Sequence, residues 1–197
     1  MLGRAAVAMW WDVAPEVRAE WEDWHTHEHM PERLGIPGFL RGSRWISLSG
    51  RPSYFVLYET KDLRTVTAGV YLRKLNHPTP WSRKMMPHHR NMVRSLCRVR
   101  AAHGEGLGSA LATIRLSGRA PRLQSLPARK GLCAARYLQS LPASEIPRTA
   151  EHKLRSGDAT AEGVVLVFGY DMDAVAAAAK TIKGGEVGLY RLACCIP

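Results

Sequence analysis

An α+β fold made of two tandem ferredoxin-like (βαββαβ) units, the second with an abbreviated first helix, is predicted by three features of this 197-residue chain. Residues 5–102 show strand and helix patterns in βαββαβ order. Gly104-Glu-Gly-Leu-Gly108 is the clearest linker, and beyond it the pattern starts again. Residues 1–103 then form a first unit, 104–108 a linker, and 109–197 a degenerate second unit.

Each element has its own signal. Ala5–Trp11 is a strand of the buried type, and Ala14-Pro15 opens a helix with proline at an early position, where its missing N–H costs nothing. That helix is expected over about 15–30, ended by Pro31 and Gly35-Ile-Pro-Gly38. Phe39–Leu48 and Ser53–Thr60 read as strands around the Gly50-Arg-Pro52 turn. Asp62 can cap a helix over 63–75, Asn76–Pro80 breaks it, and a helical turn surrounds Trp81–Met86 before a strand over 92–102. The second half offers strands over 110–116, 132–140, 163–170 and 187–196 and an alanine-rich helix over 173–182. Residues 119–130, with Pro121 and Pro127, leave room only for a loop or one short turn. Local echoes support an internal repeat: Tyr58–Asp62 with Tyr170–Asp173, Leu96-Cys-Arg98 with Leu189-Tyr-Arg191, and Arg44-Trp45 with Arg136-Tyr137.

Composition narrows the function. Apolar residues make up 46% of the chain, enough for a packed core and too many for a disordered protein. No apolar run approaches the roughly 18–20 residues that span a bilayer. The N-terminus reads as a first strand rather than a signal peptide, so a cytoplasmic protein is expected. The four cysteines, without C-x-x-C spacing and in apolar stretches, read as small core residues rather than a disulfide framework. The net charge of +11 is spread over both halves, with no basic block, RNP-like motif or zinc-finger spacing, which argues against nucleic acid as a partner.

The chemistry concentrates in the first helix, Val17-Arg-Ala-Glu-Trp21-Glu-Asp-Trp24-His25-Thr-His27-Glu28-His29-Met-Pro31-Glu32-Arg33. At about 100° per residue Trp21, Trp24 and Glu28 fall within roughly 60° of each other, flanked by His25, His29 and Glu32, with His27 pointing away. A carboxylate on a core-facing stripe needs a partner. His25 within hydrogen-bonding distance would provide one and bring both groups towards useful acidity. The plainer reading leaves Glu28 in solvent past the last turn, or paired with an arginine. His25-x-x-x-His29 also places two imidazoles on one face, with Glu28 in the H-x-x-E-H order of a metal site, but no third ligand is visible nearby. A second cluster, His77-Pro-Thr-Pro-Trp81 with Met85-Met-Pro-His88-His89-Arg90, ends the second helix, and His88 or His89 could reach the first-helix site. Trp10, Trp11, Trp24, Trp45 and Trp81 offer apolar stacking surface, whether as core or as a ligand pocket.

The run Trp24–Arg33, followed by Ile36-Pro-Gly38-Phe39 and a strand with Arg44-Trp45, resembles the dimeric α+β barrel superfamily, in particular its EthD-like members. The resemblance covers residues 5–102. It implies two ferredoxin-like units packed sheet to sheet as a barrel, a pocket between sheet and helices, and activities from cofactor-free oxygenation and lactone isomerisation to haem degradation. The second half lacks the helix motif, which suggests that it completes the barrel within one chain.

The expected function is cofactor-free acid–base chemistry, of an oxygenase, isomerase or cyclase kind, on an apolar or aromatic small molecule. His25 would exchange the proton, Glu28 orient it, and His29 and Arg44 meet a carbonyl or enolate. Trp24, Arg33, Trp45, His88 and His89 would line the substrate. The alternative is a non-catalytic binder of a small ligand or haem. Exposed strand edges would favour a homodimer.

Overall fold

The computed structural model describes residues 1–155 and 158–197. The described residues form eight strands: β1 (Ala5–Val13), β2 (Phe39–Ser47), β3 (Tyr54–Thr60), β4 (His89–Gly104), β5 (Ala110–Leu116), β6 (Leu132–Ser140), β7 (Gly163–Gly169) and β8 (Gly185–Ile196). They close into an antiparallel barrel in the order β1-β3-β2-β8-β5-β7-β6-β4. The first four strands run β4-β1-β3-β2, the second four run β8-β5-β7-β6, and the seams are β2–β8 and β4–β6. Closure leaves no edge strand among the described residues, so the edge-based reason for expecting a homodimer falls away.

All nine residues of β1 are buried because both of its faces are covered. Strand alternation sends Ala6, Ala8 and Trp10 inward and Val7, Met9, Trp11 and Val13 outward. The interior is filled by aromatic rings: Trp10 lies 4.9 Å from Phe55, Trp45 5.8 Å from Phe168, and Phe55 5.9 Å from Tyr190. The barrel is therefore a core and not a channel.

The outward face of the first half is covered by α1 (Arg18–Trp24), α2 (Met30–Leu34), α3 (Leu63–Thr67), α4 (Gly69–Asn76) and α5 (Pro80–Met85). Between β6 and β7 runs the short α6 (Ala150–Leu154), and α7 (Met172–Lys180) covers β5 and β7. No described helix is long and apolar enough to cross a membrane, and all four cysteines are free.

The first helix departs from the expected single rod. A short 3-10 turn, Pro15–Val17, leads into α1, and a π-helical turn, His25–His29, joins α1 to α2. Pro31 does not end the helix but lies inside α2. In a regular helix its ring would press on the carbonyl four residues back, and the wide turn before it opens the helix there. The expected 63–75 helix is likewise split at Ala68, whose extended backbone separates α3 from α4. Asp62 caps α3 as expected, accepting from the Thr65 N–H at 3.1 Å. At Gly38 the backbone takes a φ of +98°, and a Cβ there would meet Thr65 Oγ1 at 2.5 Å, so the turn into β2 requires glycine.

Candidate active site between the first helices and the barrel

Four elements converge on one layer. Trp11 points outward from β1, Trp21 and Trp24 point inward from α1, and Arg44 points outward from β2. His89 is the first residue of β4 rather than part of a helical end. The π turn adds His25 and His29. Its closing bond runs from the Met30 N–H to the His25 carbonyl, five residues back. This places the two imidazoles side by side, ring centres 5.5 Å apart, and both are buried. His25 stacks on Trp21 at 4.8 Å, His29 lies 4.6 Å from Trp24, and His89 lies 4.9 Å from Trp11. Trp21 Nε1 donates to His89 Nε2 at 2.7 Å.

Burial disfavours the imidazolium form, and the pKa values of His25, His29 and His89 all lie well below the ordinary histidine value. After desolvation the largest cause is Arg44 for His25, Arg33 for His29 and Arg155 for His89. The three rings are neutral at physiological pH. Arg44 donates from Nη1 to the Glu22 carbonyl at 3.0 Å, sits 3.5 Å from His25 Nδ1, and lies over the Trp21 ring at 5.8 Å. A guanidinium can only donate, so this contact leaves Nδ1 of His25 as the unprotonated, basic nitrogen. Five buried side-chain atoms among the described residues have no hydrogen-bond partner: Trp11 Nε1, His29 Nδ1, Arg44 Nε, Tyr58 Oη and His89 Nδ1. All five residues belong to this layer.

Glu28 does not pair with His25. Its Oε1 accepts from Trp24 Nε1 at 3.1 Å, from Thr79 Oγ1 at 2.5 Å and from Ser82 Oγ at 3.4 Å. The helical wheel assumed 3.6 residues per turn, and the wider π turn carries Glu28 away from His25 towards the start of α5. Thr79 also caps α5, accepting from the Ser82 N–H at 3.0 Å. Glu28 is thus a clasp between the π turn and α5.

The remaining expected residues divide. Arg33 is buried near His29, where it pairs with Glu151 and, at 3.2 Å, with Glu32. Trp45 lies inside the barrel, its Nε1 donating to Ser43 at 2.9 Å, on the opposite sheet face from Arg44. His88 is half-buried in the 3-10 turn Met86–His88, and its ring does not join the imidazole cluster. His27 is exposed and pairs with Asp23 at 2.8 Å.

Glu151 had no place in the sequence-based site. It sits on α6, whose cap Thr149 accepts from His152 N–H at 3.4 Å, and the Ala150 N–H donates to Asn76 at 3.0 Å. Thr149 followed by Ala-Glu-His-Lys-Leu is an N-cap with an acidic first turn, a signal that could have marked this helix. The connection between β6 and β7 lies against β4, with Arg94 N–H to the Ala159 carbonyl at 2.8 Å. The second half therefore delivers a buried carboxylate to the first-half layer. Burial pushes the Glu151 carboxyl up, against the pull of Arg33 and Arg155. Among the described residues, no group of three or more His, Cys, Asp or Glu is placed to hold a metal ion.

No protein-family model and no curated protein matches the chain. Solved structures do match its architecture. A candidate monooxygenase from Fusobacterium nucleatum subsp. nucleatum is 9% identical with a TM-score of 0.57, over 99% of this chain and 95% of its own. An anthrone oxidase-like protein is 10% identical with a TM-score of 0.62, over 98% and 92%. A candidate chlorite dismutase is 10% identical with a TM-score of 0.57, over 98% and 96%. At this identity the likeness is one of fold alone, a closed antiparallel barrel with helices packed on its outer face.

Proposed function

We propose that the protein is a small-molecule enzyme of the monooxygenase-like kind, carrying out cofactor-free acid–base chemistry on an aromatic ketone or related substrate. The observation that carries this reading is a neutral, buried His25 whose unprotonated Nδ1 faces Arg44, a buried guanidinium that forms no ion pair with a carboxylate among the described residues. In this role His25 accepts a proton from carbon beside the substrate carbonyl, and Arg44 stabilises the enolate oxygen as charge develops. A buried imidazole is by itself a weak base. The enolate forming next to it stabilises the imidazolium and corrects that weakness. His29, with its unpartnered Nδ1, is the second polar contact for the substrate. Glu28 serves as the clasp that α5 must release for entry.

The fold likeness to the candidate monooxygenases and the anthrone oxidase-like protein supports the same reading. The β4-β1-β3-β2 and β8-β5-β7-β6 orders support describing the halves as tandem ferredoxin-like units, and the helix motif supports an EthD-like kinship. The haem alternative fares poorly. His89 Nε2 is already taken by Trp21, so that imidazole offers no free nitrogen on that side to ligate an iron.

The test is oxygen uptake with anthrone and a panel of phenolic ketones. Turnover in the parent chain should fall at least about 100-fold in His25→Gln, the usual scale for a lost acid–base group. Equal turnover in His25→Gln, or none with any member of the panel, removes the reading.

A further inference from the structure

Between β4 and the β6–β7 connection lies a cavity of about 270 Å³ that shares no lining residue with the histidine cluster. Both elements build its walls: Arg94 comes from β4, and Ile146, Pro147, Arg148, His152 and Asp158 come from the connection. Backbone bonds pin the connection there. The Arg94 N–H donates to the Ala159 carbonyl at 2.8 Å, the Ala159 N–H to the Met92 carbonyl at 2.9 Å, and Thr160 Oγ1 to the Arg94 carbonyl at 3.3 Å. The walls therefore stand in place before a ligand arrives, which lowers the cost of binding one.

Charge is out of balance here. Three buried guanidiniums surround Glu151: Arg33, Arg94 and Arg155. Arg33 is held by Glu151 and Glu32, and Arg155 grips both oxygens of Asp158, at 3.1 and 2.9 Å. Arg94 is only 7% exposed, yet among the described residues it forms no ion pair, and its guanidinium donates from Nη2 to the Tyr71 hydroxyl at 2.9 Å. Each buried carboxylate nearby is thus committed to another arginine, and Arg94 is the surplus cation. The exposed Arg148 adds a second positive charge to the same cavity. An anion on Arg94 would offset the hydration that burial has removed.

We propose that this cavity binds a small aliphatic monocarboxylate, its carboxylate on the Arg94 guanidinium and its hydrocarbon chain against Ile146 and Pro147. A guanidinium matches a carboxylate in shape and charge. The volume equals that of roughly nine water molecules, room for a chain of a few carbons. Asp158 in the same wall disfavours a dianion such as phosphate, and the apolar side offers extra oxygens no donor. The site is separate from His25, so it stands or falls without the acid–base reading.

The probes are butyrate, butan-1-ol and inorganic phosphate, each titrated into the whole ¹⁵N-labelled chain and followed by NMR of amide and arginine side-chain signals. Butyrate should shift the Arg94 Nε–H and the amides of Ile146, Arg148 and His152 along one saturating curve. Butan-1-ol should leave them in place, and phosphate should bind more weakly than butyrate. Arg94→Gln should weaken butyrate at least about tenfold, the scale of a lost charge-assisted hydrogen bond. Arg148→Glu, on the exposed rim, should weaken it at least about threefold, and decides alone if circular dichroism shows that Arg94→Gln does not fold. His25→Gln should leave butyrate affinity unchanged. Shifts confined to other residues, equal binding of butan-1-ol, phosphate as tight as butyrate, or an affinity unmoved by the folded arginine variants overturns the proposal. Loss of butyrate binding in His25→Gln would place the ligand elsewhere and overturn it too.

Discussion

Acid should unfold this protein earlier than carboxylate titration alone would predict. His25, His29 and His89 are buried and neutral, with pKa values depressed well below the ordinary value. In the unfolded chain each returns to about 6.5. The unfolded state therefore binds more protons below that pH, and stability present above about 6.5 is lost as the pH falls. Three histidines differing by one proton each give a limiting slope of about 4 kcal/mol per pH unit. By pH 5 the loss reaches about 6 kcal/mol, enough to unfold a domain at the low end of the usual 5–15 kcal/mol and to weaken any other substantially. Urea denaturation followed by tryptophan fluorescence at intervals from pH 8 to 5 measures the slope directly. His89→Phe, which keeps an aromatic ring against Trp11, should cut the slope to about two thirds of its parent value. A stability that stays flat from pH 7.5 to 5.5 would show that the imidazoles already carry charge in the fold, and the description of the site would be wrong.

Other outcomes follow from the same contacts. Glu151→Ala leaves Arg33 buried with only half-buried Glu32 as partner, and should cost about 3–5 kcal/mol in denaturant unfolding. The double change Arg33→Met/Glu151→Leu should recover most of that, and a single-variant cost under about 1 kcal/mol would contradict a buried pair. Thr79→Val removes both the α5 cap and a bond to Glu28. It should cost about 1–3 kcal/mol and speed hydrogen exchange over residues 76–86 ahead of the barrel strands, whereas uniform exchange would argue against a clasp. Trp45→Ala, inside the barrel, should cost about 3–5 kcal/mol, measured by denaturation. Gly42→Ala places a methyl 2.9 Å from both Met30 Cε and Tyr58 Cε1, and should lower the melting temperature by crowding the buried Tyr58 ring, while the flexible Met30 end moves aside.

Much of the frame was legible because it depends on local pattern. The buried run of β1, the Asp62 cap and the alanine-rich α7 stand where the residues put them. Alternation also held information that went unused. Arg44 and Trp45 are neighbours on a strand, so their side chains leave opposite faces and cannot line the same pocket. The Arg44-Trp45 and Arg136-Tyr137 echo fails for the same reason, since Arg136 shares the inward face of Ala134 and Leu138 while Arg44 points outward. The π turn was not legible. Its wider register re-aims Glu28, and its one mark in the sequence, Pro31, reads equally well as a helix end. Glu151 was hidden by distance along the chain, 118 residues from Arg33.

Barrel closure within a single chain has one further consequence. When identical subunits form such a ring, every seam must match its own copy, and a change at one seam appears at the other. Here the seams are different surfaces: β2 meets β8 with Ser43 opposite Cys195, and β4 meets β6 with Cys97 opposite Ser140. Each can drift alone. The half that carries the histidines can specialise while its counterpart turns into a support that lends it a buried carboxylate, a division of labour that enforced symmetry forbids.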